Sequence, residues 1–414
     1  MDATLAANAS QWAAASNEAL HIRLISGETE RGVLKALNTD ISEEEQEEGD
    51  EGGADVIEFH PEFTYPIYGE HERVFGYKGL RLQLSYAAGS LATYFSWSYA
   101  KRIDDMETSL AVALKADDVE GPMRAVLADG AVSGSAEEFA QRVARDTREF
   151  RPAGRKVHEY TRSGDAGAGE SLVYEIYEGE FGDADVRRYH ERMQTMVLFF
   201  IEGAQFVDAE DERWRVFTVF ERLDMAGQGS SYSLVGFCTM YRFYHWPDQR
   251  RARIAQFLVL PPFQGQGHGS ELYRYIYSMV VASPEYVDLT VEDPSEAFDD
   301  MRDCNDMRNL LKHDAFSGIG KDPLAISRAT VQGLQTKYKL SKRQMTRCLE
   351  MALLMRISGE KTEAFARYRL LVKRRIFAQN TDLLQGLDPE EKKEKVAASF
   401  AAVVDDYRRI ISLL

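Results

Sequence analysis

Cysteine and long apolar runs are scarce in this 414-residue sequence, and each scarcity excludes a class of protein. The three cysteines, Cys238, Cys304 and Cys348, are odd in number and far apart, so we expect no disulfide framework and a reducing compartment. No cysteine–histidine spacing is typical of a zinc site, and we expect no metal. No window reaches the roughly 20 apolar residues of a membrane helix, so we expect no membrane association. The first 17 residues lack the basic start and apolar centre of a secretory signal.

Basic residues are in deficit, and the formal net charge is −17. Only the last 84 residues reverse this sign, with 17 basic and 10 acidic residues, so the first 330 residues carry −24. An acidic body argues against direct nucleic-acid binding and suits a cationic partner such as a lysine-rich tail. Acidity that only maintains solubility is the alternative, and composition leaves both interpretations open.

The most informative stretch is RIAQFLVLPPFQGQGHGSEL at residues 253–272. The apolar residues 254–260 predict a buried strand, which ends at two prolines because proline cannot donate to a strand ladder. Three glycines within residues 264–269 predict a tight turn, and Leu272, Tyr273 and Ile276 have helical spacing. Backbone N–H groups and the helix dipole together make such a strand–turn–helix a phosphate-binding site.

The spacing of the glycines distinguishes between the folds that use such a turn. A Walker loop would continue with Gly-Lys-Ser/Thr, but no lysine follows here. A dinucleotide-binding G-x-G-x-x-G is not matched either, because the glycines are two apart. Gln264, Gly267 and Gly269 match Gln/Arg-x-x-Gly-x-Gly/Ala, and in this the stretch resembles the pyrophosphate loop of the GNAT superfamily of N-acetyltransferases. A glycine-rich loop that only turns the chain is the alternative.

A second predicted strand at residues 286–291 ends in two acids and a proline, Glu292, Asp293 and Pro294. This tract and the loop together resemble the type B histone acetyltransferase family. Further tracts carry the same resemblance, in order over residues 15–330: EFHPEFT at 58–64, VFGYKGL at 74–80, AGSLATY at 88–94, FIEGA at 200–204 and DERW at 211–214.

The resemblance implies an α+β fold, namely the GNAT N-acetyltransferase fold. Its sheet is mixed and mostly antiparallel and is flanked by helices, with an N-terminal α/β domain and a C-terminal helical domain. We predict the N-terminal domain at residues 1–165, the acetyltransferase domain at 166–330 and the helical domain at 331–414. Eight acids at residues 42–55 predict a disordered loop. We also expect a loop at residues 152–169, and a short exposed helix carrying Trp12, which either docks on a partner or frays.

The resemblance also implies binding residues. Acetyl-CoA would be held by the strand residues Phe257, Leu258 and Val259 and by Ser295, where the family often has asparagine. The expected loop contacts are Gln264, Gly265, Gln266, Gly267, His268, Gly269 and Ser270, with His268 as a spacer and not a base. The expected contacts to the substrate tail are Glu70, His71, Glu72, Tyr241, Arg242 and Phe243.

Acetyl transfer to lysine also needs a base, because free lysine has a pKa of about 10.4. Three acids are candidates, Glu202, Glu292 and Asp293, and we expect all three near strand ends. The resemblance favours Glu292 as the principal base with the other two in support, although each is alternatively a surface acid, and Asp293 alternatively a helix cap. An acyl-cysteine route through Cys238 or Cys304 is disfavoured, because neither has a recognisable Cys–His setting.

The function implied is acetylation of free, newly synthesised histone four before chromatin assembly. The targets would be tail lysines in a Gly-Lys-Gly context, at the fifth and twelfth tail residues, by direct attack on acetyl-CoA. The implied partners are histone four with its histone-three partner and a WD-repeat histone chaperone, without direct nucleic-acid contact, in cytoplasm and nucleus. The run Lys373, Arg374 and Arg375 is an import signal, a histone-independent contact or a solvated helix face. An acetyltransferase with another amine substrate and an inactive histone-binding module are the alternatives.

Overall fold

A computed structural model describes residues 11–38, 53–106, 114–163, 171–225, 229–319, 323–357, 359–360 and 362–414. The chain forms two compact units. The first comprises Met1–Met240 and Gln256–His268, and the second comprises Tyr241–Ala255 and Gly269–Leu414. The acidic run at residues 42–55 lies almost wholly outside the described residues. None of the described helices is both long and apolar enough to cross a membrane.

The N-terminal part of the first unit is built on a mixed four-stranded sheet with the order β3-β2-β6-β7. Strand β2 pairs parallel with β6 and antiparallel with β3, and β6 pairs antiparallel with β7. The elements are β1 (Ala13–Ala15), α1 (Ser16–Ala19), β2 (Leu20–Ser26), α2 (Glu30–Asn38), β3 (Asp55–Phe59), α3 (Tyr65–Tyr68), β4 (Arg73–Phe75), β5 (Tyr77–Lys78), β6 (Arg81–Ala87), β7 (Thr93–Ser98), β8 (Lys101–Arg102), α4 (Glu120–Val126) and α5 (Ala136–Glu149).

Helix α5 covers one face of this sheet. Its residues Phe139, Ala140 and Val143 are fully buried and share a core with Ile25 and Val33. The helix begins after Ser135, whose side chain accepts a hydrogen bond from the backbone N–H of Glu138, as an N-cap should. Burial at helical spacing and the cap together fix the position of α5.

The N-terminal segment differs from the prediction of an exposed helix. Trp12 is only 8% exposed, and Lys78 Nζ lies 4.7 Å from the centre of its ring. The following residues form β1, which pairs antiparallel with β4. Trp12 is therefore part of the packed fold and is not available to dock on a partner.

The larger sheet has six strands in the order β14-β13-β12-β11-β10-β9. Strands β9 and β10 and strands β10 and β11 pair antiparallel, whereas β13 and β14 pair parallel. The elements are β9 (Arg155–Ser163), β10 (Ser171–Glu180), α6 (Ala184–Phe200), β11 (Trp214–Met225), β12 (Gly229–His245), β13 (Gln249–Val259), α7 (His268–Ala282), β14 (Tyr286–Val291) and α8 (Glu296–Lys312). This mixed sheet with flanking helices confirms the predicted α+β class.

Two local predictions in this region are wrong. Residues 155–163 were expected in a loop but form β9, which pairs with β10 over its length. The apolar run before Glu202 was expected to be a strand, but it completes α6, which ends at Phe200. A short buried apolar run does not distinguish a strand from a buried helix end. The predicted domain boundary near residue 165 lies outside the described residues, after the end of β9, and stays a prediction.

The described C-terminal residues are mainly helical. The helices are α9 (Arg328–Tyr338), α10 (Lys342–Met355), α11 (Glu363–Gln379), α12 (Thr381–Leu384) and α13 (Pro389–Ser412). Met345, Leu349 and Leu353 form a buried stripe on α10 and belong to the bundle core. In the basic run on α11, Arg375 is paired and not simply solvated, because it donates to both carboxylate oxygens of Glu350 at 2.7 and 2.8 Å.

Candidate active site

Buried and half-buried residues alternate strictly along the second half of β13 and into Leu260. Ile254, Gln256, Leu258 and Leu260 are buried, and the residues between them are half-buried. Leu260 N–H donates to the carbonyl of Val235 on β12 at 2.9 Å. Because successive N–H groups of a strand point to opposite sides, those of Phe257 and Val259 point away from β12. These are backbone positions at which an extended ligand can bind by strand addition.

The turn after β13 is the predicted glycine loop. Gly265 and Gly267 have φ angles of +75° and +86°, which a residue with a Cβ adopts only with strain. The side chain of Gln264 donates to Val259 O at 2.9 Å, and that of Gln266 donates to Pro262 O at 3.1 Å. These bonds fold the loop back onto the end of β13 and leave the loop exposed at residues 264–266.

Helix α7 begins at His268, so Gly269 and Ser270 lie in its first turn. First-turn N–H groups have no acceptor within their own helix, and the helix dipole adds partial positive charge there. The loop and this turn together suit a diphosphate.

His268 is not a simple spacer. Its side chain is fully buried, its Nδ1 lies 2.8 Å from Tyr160 Oη, and its ring centre lies 4.4 Å from that of Tyr174. Its imidazole therefore anchors the start of α7 against β9 and β10. Any ligand contact by this residue would be through its backbone.

Arg162 on β9 is a candidate site residue that sequence reasoning missed. Its Nε donates to Gln266 O at 3.1 Å, and its Nη2 donates to Gly267 O at 3.4 Å. A Cβ on Gly267 would lie 3.2 Å from this Nη2, so a glycine leaves room for the guanidinium. The arginine fixes the carbonyl side of the loop and brings a positive charge to it.

The tip of β14 carries the proposed base. The register of β14 with β13 ends at Val291 opposite Ile254, and Glu292 N–H then donates to Ile254 O at 2.9 Å. The side chains of Glu292 and Asp293 are exposed, and neither carboxylate has a hydrogen bond or ion pair to a described residue. Asp293 has a φ of +32°, so the chain leaves the strand geometry here.

Ser295, and not Asp293, caps α8. Its Oγ accepts a hydrogen bond from Phe298 N–H at 3.2 Å. Its hydroxyl is therefore already used in part, although the residue remains exposed.

Glu202 follows a helix and not a strand. It lies two residues beyond the end of α6, is exposed, and has no hydrogen bond or ion pair to a described residue. Glu202 belongs to the first unit and Glu292 to the second.

Known protein families match three parts of this chain. The model described as "Histone acetyl transferase HAT1 N-terminus" matches residues 12–202, the acetyltransferase (GNAT) family matches 173–297, and the C-terminal model of fungal HAT1 matches 303–358. The histone acetyltransferase type B catalytic subunit of Cryptococcus neoformans is 34% identical over 97% of this chain and 98% of its own. The human protein of that name is 34% identical over 87% of this chain and 88% of its own.

The chain belongs to the type B histone acetyltransferase catalytic subunit family. It is therefore an acetyltransferase, and the predicted family and the GNAT fold are confirmed. Among solved structures, a metagenomic aminoglycoside acetyltransferase covers 37% of this chain and 91% of its own at 13% identity, with a TM-score of 0.21, which supports no further conclusion.

In this type B family member, the first segment predicted to contact a substrate divides into two roles. Glu72 accepts hydrogen bonds from the backbone N–H groups of Thr64 and Tyr65, at 2.7 and 3.2 Å, and from Asn17 Nδ2 at 3.1 Å. Glu70 and His71 are exposed. Glu72 thus closes the turn that presents the other two.

The second predicted substrate segment lies on β12. The rings of Tyr241 and Phe243 are 4.5 Å apart edge to face, and the guanidinium of Arg253 lies 4.7 Å from the Phe243 ring centre. Phe243 is 38% exposed. This is a preformed aromatic surface that can contact the aliphatic part of a basic side chain.

One cluster among the described residues has cation-binding spacing, because ligand atoms of His21, Glu58 and His60 lie within 4.8 Å of one another. However, Glu58 receives hydrogen bonds from Arg23 and His21, and Arg81 lies 3.5 Å away. Burial alone would raise the pKa of Glu58, but these hydrogen bonds lower it to about 2. The positive charges of Arg23 and Arg81 beside this carboxylate would repel a metal cation. The cluster is therefore an ion-pair network.

The cysteines of this enzyme do not form a nucleophilic site. Cys238 and Cys304 are buried, and burial raises the pKa of both thiols, that of Cys238 well above its ordinary value. A raised pKa reduces the thiolate that an acyl-cysteine route would require.

Proposed function

We propose that this chain transfers acetyl from acetyl-CoA to tail lysines of free, newly synthesised histone four before chromatin assembly. The targets proposed are lysines in a Gly-Lys-Gly context, at the fifth and twelfth tail residues. The observation that carries the proposal is the turn between β13 and α7, where two left-handed glycines, the first helical turn and Arg162 fit a diphosphate. Family membership supports a histone as substrate.

Acetyl-CoA would supply the activated acetyl group as a thioester. The loop residues and the first turn of α7 would bind its diphosphate, with Arg162 adding positive charge. The N–H groups of Phe257 and Val259 would bind its extended arm and polarise the thioester oxygen. The hydroxyl of Ser295 already accepts the capping hydrogen bond of α8, so we propose that it makes only a minor contact to the cofactor.

Glu292 is proposed as the general base, with Glu202 and Asp293 in support. Its carboxylate has no described partner that would compete for a proton. Its side chain is exposed, so bound substrate would have to cover it to exclude water from the reaction. Glu70, His71, Tyr241, Arg242 and Phe243 are proposed to contact the basic tail.

Replacement of Glu292 by glutamine tests the base. We expect turnover at pH 7 to fall at least about a hundredfold, the usual contribution of general base catalysis, while acetyl-CoA affinity measured by calorimetry is unchanged. Glu296→Gln is the matched control, because Glu296 is an exposed acid in the first turn of α8. Unchanged turnover of Glu292→Gln between pH 7 and 9 would show that another group takes the proton.

Two further measurements separate the alternatives. Acetyl-CoA should raise the melting temperature, and mass spectrometry should then locate acetyl groups on a histone-four tail peptide. Stabilisation without acetylation of that peptide, but with acetylation of another amine, would identify a different substrate. Peptide binding without any transfer would identify an inactive histone-binding module.

The partners and location rest on family resemblance. We propose that the chain works with histone three bound to histone four and with a WD-repeat histone chaperone, in cytoplasm and nucleus. Co-purification of a tagged chain with these proteins from each fraction would test this, and absence of all three from both fractions would refute it.

A further inference from the structure

A groove lies among the C-terminal helices of the second unit. It has a volume of about 990 Å³ and is bounded by α9, the start of α10 and the face of α11 that carries Leu371 and Ala378. Val331 and Leu349 complete an apolar floor. This volume lies at the upper end of the range for ligand-binding pockets.

The rim of this groove is basic. Arg328 and Lys342 line it, and the side chain of neither has a hydrogen bond or ion pair to a described residue. The side chain of Arg343 is 73% exposed and lies 3.9 Å from Asp299, its nearest described carboxylate. These three cations therefore face the groove largely uncompensated.

The acid that lines the groove does not neutralise this charge. Glu350 accepts two hydrogen bonds from Arg375, and its Oε2 also accepts one from Tyr407 at 2.9 Å. A smaller cavity of about 280 Å³ shares Arg343 and Arg375 and adds Arg347. Arg347 is paired with Asp303 and Asp406, so its charge is compensated and the free charge of the lining stays at the rim.

The groove suits a peptide better than a nucleic acid. Its described lining contains no aromatic ring, whereas single-stranded nucleic acids are held by stacking on aromatic side chains. An aliphatic floor with a charged rim instead matches an amphipathic helix lying in a groove.

The distribution of charge along the chain indicates which net charge the ligand of the groove carries. The first 330 residues carry a net charge of −24, and the last 84 carry +7. An acidic segment would be repelled by most of this protein and attracted to the C-terminal helices. We propose that the groove between α9, α10 and α11 docks an amphipathic acidic helix of a partner protein, with its apolar side on Leu349 and Leu371 and its acids on Arg328, Lys342 and Arg343.

The probe is a synthetic helical peptide of about four turns, or 14 residues, with leucines at helical spacing and glutamates elsewhere. Fluorescence anisotropy with the full chain should show binding that weakens as salt rises. Arg328→Glu with Lys342→Glu should weaken it at least about tenfold, because two attractions become repulsions. Lys392→Glu with Lys395→Glu, on α13, changes the net charge equally and should have little effect.

The location of binding can be read directly. The three cysteines are buried, so a fluorophore can be placed selectively on Gln332→Cys, an exposed position in the groove lining. Its emission should shift when the acidic peptide binds. The proposal is overturned if a glutamine version of the peptide binds equally well, if the rim reversal changes nothing while the variant melts normally, or if a single-stranded oligonucleotide binds more tightly.

Discussion

Asn305 Nδ2 donates a hydrogen bond to Ser270 Oγ at 3.0 Å, and this bond joins α8 to the first turn of α7. Asn305 is itself held by a bond to Met301 O at 2.8 Å. The helix that follows the proposed base thus holds the helix whose start is the proposed diphosphate site. Tyr273 Oη reinforces the connection one turn later by donating to Asp306 at 2.8 Å.

Asn305→Ala should therefore weaken acetyl-CoA binding more than it lowers turnover. Loss of a neutral hydrogen bond costs about 1 kcal/mol, or about fivefold in the dissociation constant. Calorimetric titration of acetyl-CoA would measure this. Asn309→Ala is the control, because Asn309 lies one turn further along α8 and its side chain makes, among the described residues, a single long bond of 3.4 Å to Tyr277. Ser270→Ala should not add to Asn305→Ala, since both remove the same bond.

Arg162→Gln should also weaken acetyl-CoA binding, with a larger dependence on salt. The substitution removes a charge and the donors to Gln266 O and Gly267 O, so we expect a loss of about tenfold at low ionic strength. The control is Arg155→Gln on the same strand, because that side chain is 79% exposed and pairs with Glu178. Equal dissociation constants for the two variants would remove Arg162 from the site.

The local part of this site could be predicted from the sequence. The strand, the proline stop, the glycine turn and the start of α7 are encoded within residues 253–272, and each rests on a local rule such as the missing N–H of proline or the left-handed φ of glycine. The structure places the turn where the pattern predicts it, with Gly265 and Gly267 at positive φ.

Arg162 could not be predicted, because nothing local marks β9 as a strand. In Arg155–Ser163 only Tyr160 is buried, and the segment becomes a strand by pairing with β10 across a hairpin. The prediction of a strand at the end of α6 was wrong for the opposite reason. The last residues of this helix are so uniformly buried that they show no helical period. The hydrogen-bond donors to Glu72 likewise come close to it only in the folded chain.

Glu72 and Glu70 should respond differently to the same substitution. Glu72→Ala leaves the N–H groups of Thr64 and Tyr65 without their carboxylate acceptor, which costs about 1–3 kcal/mol when such groups are buried. We expect a melting temperature several degrees below that of the unmodified protein. Glu70→Ala should leave stability unchanged, since Glu70 is exposed, and raise only the Michaelis constant for a basic tail peptide. Similar melting temperatures for both variants would contradict the stabilising role that we assign to Glu72.

His190 should make the first unit sensitive to acid. It lies on α6 with a fully buried side chain, and neither ring nitrogen has a hydrogen-bond partner among the described residues. Burial lowers the pKa of His190 to about 3, whereas an unfolded histidine titrates near 6.5. Between these values the unfolded chain binds a proton that the folded chain does not, so stability is present above pH 6.5 and is lost as the pH falls.

Removal of this histidine should flatten the pH dependence. Between pH 7.5 and 5.5 the unmodified protein should lose about 1.4 kcal/mol of unfolding free energy through His190 alone. His190→Leu should lack this loss, and urea titrations at the two pH values would measure it. His245→Leu, at an exposed position at the end of β12, should keep the full dependence. If both variants retain the same pH slope, another group titrates in this range and His190 is protonated in the folded state.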